Sequence, residues 1–141
     1  MDTMSPTKTR VLFVCTNNSA RSKMAEGLLR HLHGDRYEVE SAGTEPTCVN
    51  PLAIRAMNER GVDISGQRSK SLNELRGQEF DLVVTVCDRA KEACPFFPGG
   101  GKRVHQSFPD PAAVAGTGLG QLQAFRDVRN MIEAWIEENL G

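Results

Sequence analysis

The run Asp81-Leu82-Val83-Val84-Thr85-Val86 is nearly all apolar and β-branched, without the polar alternation of a half-solvated strand. Such a strand is covered on both faces, as at the centre of a parallel sheet. Parallel neighbours cannot be joined by tight hairpins and need long crossovers, usually helical. The rest of the chain supplies them. Val11-Leu12-Phe13-Val14 is a second apolar strand, followed by a helix from Ser22 to about His33 and a short strand over Tyr37 to Ala42. A second helix has Asn50 as its cap, Pro51 in its first position and Gly61 as its stop. Ser71 and Glu74 have capping-box spacing for a brief helix. Lys102 to His105 reads as a weaker strand. Leu122, Phe125, Val128, Ile132, Trp135 and Ile136 give a final helix its 3.6-residue period. Right-handed crossovers then predict an α/β fold: an open, parallel, four-stranded sheet with helices on both faces.

The length of 141 residues suits one domain over 1–141, with residues 1–8 expected to be flexible. A net charge of −1 gives no reason to expect nucleic acid or an anionic membrane as partner. No apolar run approaches the roughly 20 residues that span a bilayer. The opening residues lack the apolar stretch of a secretory signal, so a cytoplasmic location is expected. A monomer is expected as well. Cytoplasmic thiols stay reduced unless they are catalytic or redox-sensing, so the four cysteines are read for reactivity first.

Ligands of parallel sheets sit beyond the carboxyl ends of the strands. Cys15 and Cys87 both lie at such ends. Cys15 heads a Cys-x5-Arg loop, Cys15-Thr16-Asn17-Asn18-Ser19-Ala20-Arg21, that runs from strand into helix. A helix N-terminus offers unpaired N–H groups and a positive dipole end to an anion, and the same field favours a thiolate. Arg21 adds a planar fork of donors suited to a tetrahedral oxyanion. The oxyanion-binding set is therefore Thr16, Asn17, Asn18, Ser19, Ala20, Arg21 and Ser22, with Cys15 as nucleophile. Asn18 tolerates the positive φ that a cradle needs, and Ser22 is placed to donate to the thiolate; both also fit ordinary turn and cap roles.

Cys87 and Cys94 bracket a charged segment containing Arg89 and Lys91, which would favour thiolates. A redox pair suits them better than zinc, whose Cys-x2-Cys spacing is missing, or inert core. Asp110-Pro111 is open between a general acid over the pocket and a common turn dipeptide. Gly99-Gly100-Gly101-Lys102 lacks the full Walker spacing and reads as a tight turn. Cys48 has no partner in these patterns, and His31 and His33 read as solvated. No metal or cofactor is expected.

Together these residues resemble the thioredoxin-coupled arsenate reductases, which share the fold of the low-molecular-weight protein tyrosine phosphatases. The matching stretches run from Val14-Cys15-Thr16 through Arg21-Ser22, Met24-Ala25-Glu26-Gly27, Ser41-Ala42-Gly43, Asp81 to Thr85, Cys87-x6-Cys94 and Asp110-Pro111. The resemblance implies that Cys15 attacks arsenate, for which phosphate or sulfate are analogues, while Asp110 protonates the leaving hydroxyl. It further implies a Cys15–Cys87 disulfide on release of arsenite, then a Cys87–Cys94 disulfide that thioredoxin reduces. The alternative is a phosphatase acting through a Cys15 phosphoenzyme. Ala20 stands where phosphatases and some reductases carry a second loop cysteine, and Pro111-Ala112-Ala113 supplies no aromatic wall for phosphotyrosine. Some family members hold potassium beside the loop. Asn18, Glu26 and Ser41 match ligand positions there, with Lys70 where a carboxylate is expected, so the Lys70 ammonium is expected to replace the ion.

Overall fold

β1 (Thr9–Cys15) pairs in parallel with β2 (Tyr37–Gly43) on one side and with β3 (Phe80–Thr85) on the other. β4 (Gly100–His105) extends the sheet beyond β3, giving the order β2-β1-β3-β4 with every pair parallel. The computed structural model describes residues 8–18, 20–45, 47–75, 77–86, 100–113 and 119–141. Val11, Leu12, Phe13 and Val14 are all buried in succession. Successive side chains point to opposite faces, so β1 is covered on both.

Three helices accompany the strands among the described residues: α1 (Arg21–His33), α2 (Pro51–Asn58) and α3 (Leu119–Asn139). α3 packs against both α1 and α2. Its buried face carries Leu122, Phe125, Val128, Ile132 and Ile136, the periodic set read from the sequence, with Trp135 partly buried beside them. Asn50 caps α2 by accepting the Leu52 N–H at 2.8 Å, and Pro51 holds the first position. The helix closes with Gly61 at φ +74°, where a side chain would be strained. A one-turn 3-10 helix (Leu72–Leu75) forms the expected capping box. Ser71 Oγ accepts the Asn73 N–H at 3.1 Å and the Glu74 carboxylate accepts the Ser71 N–H at 3.2 Å.

The glycine run departs from expectation. Gly100 and Gly101 are not a turn but the first two residues of β4, while Gly99 lies outside the described residues. The physical reason is close approach: a Cβ on Gly101 would stand 2.8 Å from the Asp81 carbonyl oxygen.

Candidate active site

Cys15 is the last residue of β1 and is buried at 3% exposure, with α1 beginning at Arg21 six residues on. The loop between them is held from outside. Thr44 N–H donates to the Cys15 carbonyl at 3.2 Å, Glu45 N–H to Thr16 at 2.8 Å, and Thr47 N–H to Asn17 at 3.1 Å. The Ser69 hydroxyl donates to the Asn18 carbonyl at 2.5 Å. Four consecutive carbonyls are thus engaged by neighbouring segments, the arrangement that leaves amides to line a cradle. Gly43 allows this approach, because a Cβ there would lie 2.6 Å from the Thr16 oxygen and 2.9 Å from the Asn18 nitrogen.

Asn18 adopts φ +49°, as anticipated, and is fully buried. Its Nδ2 donates to Ser22 Oγ at 2.8 Å and to Ser41 Oγ at 3.0 Å, and its Oδ1 accepts the Lys70 N–H at 2.9 Å. Ser22 Oγ thus braces Asn18 as an acceptor, which leaves its own proton for donation.

A cavity of about 50 Å³ is lined by Cys15, Asn17, Ala20, Arg21, Asp110 and Ala112. That is far below the roughly 300–1,000 Å³ of sites for drug-sized organic ligands, and it suits a small oxyanion. Arg21 Nη1 donates to the Phe108 carbonyl at 3.1 Å, and its Nη2 lies 3.9 Å from Asp110 Oδ2. Both readings that the sequence leaves open have a geometric counterpart at Asp110. Its Oδ1 accepts the Ala112 N–H at 3.0 Å, shaping a 3-10 turn over Pro111–Ala113, while its Oδ2 faces the cavity arginine. The structure thus brings Cys15, Asn17, Ala20, Arg21 and Asp110 together at one cavity, with Asn18 and Ser22 braced behind the loop. Ser19, Cys87 and Cys94 lie outside the described residues.

The chain also matches known proteins. The family model described as low molecular weight phosphotyrosine protein phosphatase matches residues 10–140. An arsenate reductase of Halalkalibacterium halodurans is 46% identical over 122 residues, covering 86% of this chain and 88% of that protein. An arsenate reductase of Bacillus subtilis is 42% identical over 128 residues, covering 91% and 92%. The chain belongs to the arsenate reductases of the low-molecular-weight phosphatase family. Among solved structures, an arsenate reductase in the phosphate binding state aligns with TM-score 0.79 at 32% identity, covering 92% of this chain and 95% of that one. A low-molecular-weight tyrosine phosphatase of T. tengcongensis aligns with TM-score 0.73 at 26% identity, covering 94% and 98%.

The side chains behind the loop correct one expectation. Lys70 Nζ pairs with Glu40 rather than with the Asn18–Ser41–Glu26 set. Lys70 serves Asn18 with its backbone N–H, and from there its side chain meets the β2 carboxylate. The ammonium that does reach the set is Lys23, 1% exposed on α1, with Nζ 3.4 Å from Glu26 Oε1. Ser41 Oγ donates to that same Oε1, and Arg30 Nη2 donates to Oε2 at 2.6 Å. Burial holds Lys23 below the usual lysine value, although the Glu26 carboxylate pulls it back up. A potassium ion does not fit here. Asn18 Oδ1 and both Glu26 oxygens already accept donors, and an added cation would share a buried space with the ammonium. Sequence reasoning passed over Lys23 because a lysine on a helix reads as solvated; only its place four residues before the buried Gly27 hinted otherwise. Among the described residues no three His, Cys, Asp or Glu side chains cluster as a metal site.

Proposed function

We propose that this enzyme reduces arsenate to arsenite by a three-cysteine relay, with thioredoxin as the dithiol that regenerates it. Cys15 lines the small cavity beside the N-terminal end of α1, and its thiolate attacks arsenic there. Arg21 holds the equatorial oxygens, and Asp110 gives its proton to the departing oxygen, which leaves as water. Cys87 as thiolate then attacks Cys15 sulfur. The S–As bond breaks with its electron pair left on arsenic, so As(V) becomes As(III) while two thiols become one disulfide. Cys94 next attacks Cys87, returning Cys15 to the thiolate and leaving a Cys87–Cys94 disulfide for thioredoxin.

One observation carries the reading. Val86 N–H donates to the Val14 carbonyl at 2.9 Å, so the chain enters position 87 from a residue bonded to the neighbour of Cys15. The relay reading rests on this bond between the residues that precede the two thiols in sequence. Arsenate reductases among the relatives and a phosphate-bound arsenate reductase fold support the same chemistry.

The test is arsenate-dependent NADPH consumption with thioredoxin and thioredoxin reductase, repeated with glutaredoxin and glutathione. Turnover is expected with thioredoxin in the parent chain, and no sustained turnover in Cys87→Ser or Cys94→Ser. Cys94→Ser is expected to stall after one arsenite per chain as a Cys15–Cys87 disulfide, seen by mass spectrometry. A parent rate retained in both variants, with phosphomonoester hydrolysis alongside, would identify a hydrolase instead.

A further inference from the structure

Lys23 has no part in the relay, yet among the described residues no charged side chain is more completely enclosed. Burying an ammonium is costly unless it is paired and hydrogen-bonded, so a buried lysine points to a reason for keeping the charge. Its partner leads directly to the oxyanion loop. Glu26 Oε1 faces Lys23 Nζ at 3.4 Å and accepts from Ser41 Oγ; Ser41 Oγ accepts from Asn18 Nδ2 at 3.0 Å; and Asn18 is the residue at φ +49° in the loop. The direction of these bonds is fixed from one end. An ionised Glu26 can only accept, so the Ser41 proton points at it, and the Ser41 lone pair is left for Asn18. Lys23 Nζ faces the oxygen that Ser41 uses, and Arg30 Nη2 donates to the other at 2.6 Å.

We propose that Lys23 is a positioning residue for the oxyanion loop, a covalently attached cation that orients the Glu26–Ser41–Asn18 chain and makes a bound monovalent metal ion unnecessary. Glu26 and Arg30 on α1, Glu40 on β2 and Lys70 ahead of the 3-10 turn are the charged groups that surround it. Of these, Lys70 and Glu40 neutralise one another as a pair, which leaves Lys23 and Arg30 to balance Glu26. Arg30 is half exposed and reaches only Oε2, so Lys23 is the cation at the oxygen that Ser41 uses.

The proposal rests on the loop being an oxyanion site, so the experiment measures inorganic phosphate binding, which needs neither Cys87, Cys94 nor thioredoxin. Lys23→Met keeps the stem and removes the charge. Its dissociation constant for phosphate and its KM for arsenate are expected to rise together, by roughly ten- to a hundredfold, the cost of a small misplacement in a preorganised site. Lys23→Arg, which restores a cation, is expected to recover most of that loss. Exchange of sodium for potassium is expected to leave phosphate affinity and rate of the parent chain unchanged, a measurement that holds even if Lys23→Met does not fold. Potassium activation of the parent overturns the proposal. So does a Lys23→Met chain that melts earlier but binds phosphate as the parent does, which would make Lys23 merely structural. A parent chain that fails to bind phosphate overturns the oxyanion reading itself.

Discussion

Two carboxylates in this protein are each held by two cations, and their settings differ. Glu26 sits behind the oxyanion loop at 3% exposure, between Lys23, Arg30 and the Ser41 hydroxyl. Glu59 lies on the surface, where Arg126 grips it through Nε and Nη2, and Arg129 Nη1 reaches it at 3.0 Å. Arg129 Nη1 also donates to the Ala56 carbonyl at 2.8 Å, so the outer cluster fastens α3 to the end of α2. The same chemistry therefore serves adhesion in one place and alignment in the other. Exposure decides which. At the surface, water can replace any lost partner, and salt screens the pair. Inside, no water takes the place of a lost partner, and a buried group left unsatisfied costs its full desolvation penalty.

The sharpest way to break the comparison is Glu26→Ala. It strands a buried ammonium, and losing one partner of a buried pair costs about 3–5 kcal/mol. Urea denaturation is expected to show that loss, and phosphate titration a weakened loop. Next comes Gly43→Ala, which changes no charge but drives a methyl group into the Thr16 carbonyl and Asn18 nitrogen. Its overpacking cost is expected at about 1–3 kcal/mol. The weakened phosphate binding should match that of Lys23→Met, since both displace the same loop. An unchanged phosphate affinity in Gly43→Ala would separate loop shape from binding.

The smallest effect belongs to Glu59→Gln. Hydrogen bonds from Arg126, then Arg129, lower the Glu59 pKa from the usual 4.5 to about 2. A carboxylate depressed on folding stabilises the native state above its unfolded pKa and loses that contribution as pH falls through its folded one. The parent should therefore lose part of its melting temperature between about pH 4.5 and 2, and Glu59→Gln should lose less over that range. Added salt should narrow the difference. Phosphate affinity should not move, because the described partners of Glu59 are Arg126 and Arg129 of α3, away from the loop.

What the sequence made legible follows the range of the interactions. The α2 cap at Asn50, the Ser71–Glu74 box and the positive φ of Asn18 are written within a few residues, and each is found where expected. The strand pattern was readable because a doubly covered strand cannot hide its apolar residues. The Asn18–Ser41 bond spans 23 residues and joins side chains from a loop and a strand, which no local pattern encodes. Lys70 was misassigned for the same reason: its backbone, not its ammonium, is what reaches Asn18. Asp110 could not be resolved from sequence because its two oxygens do two different things.

Arg21 carries a consequence for the thermodynamics of binding. A free arginine side chain has about 2 kcal/mol of rotamer entropy to lose when it closes on a ligand. Here the guanidinium is already tethered to the Phe108 carbonyl, and the Phe108 N–H is in turn bonded to the Val86 carbonyl at 3.0 Å, as Gln106 is to Thr85 at 2.9 Å. The anchor of the arginine is thus continuous with the end of β3. Much of the ordering that an incoming anion would otherwise impose is completed when the chain folds, so association with an oxyanion should show a smaller entropic penalty than an untethered arginine would allow.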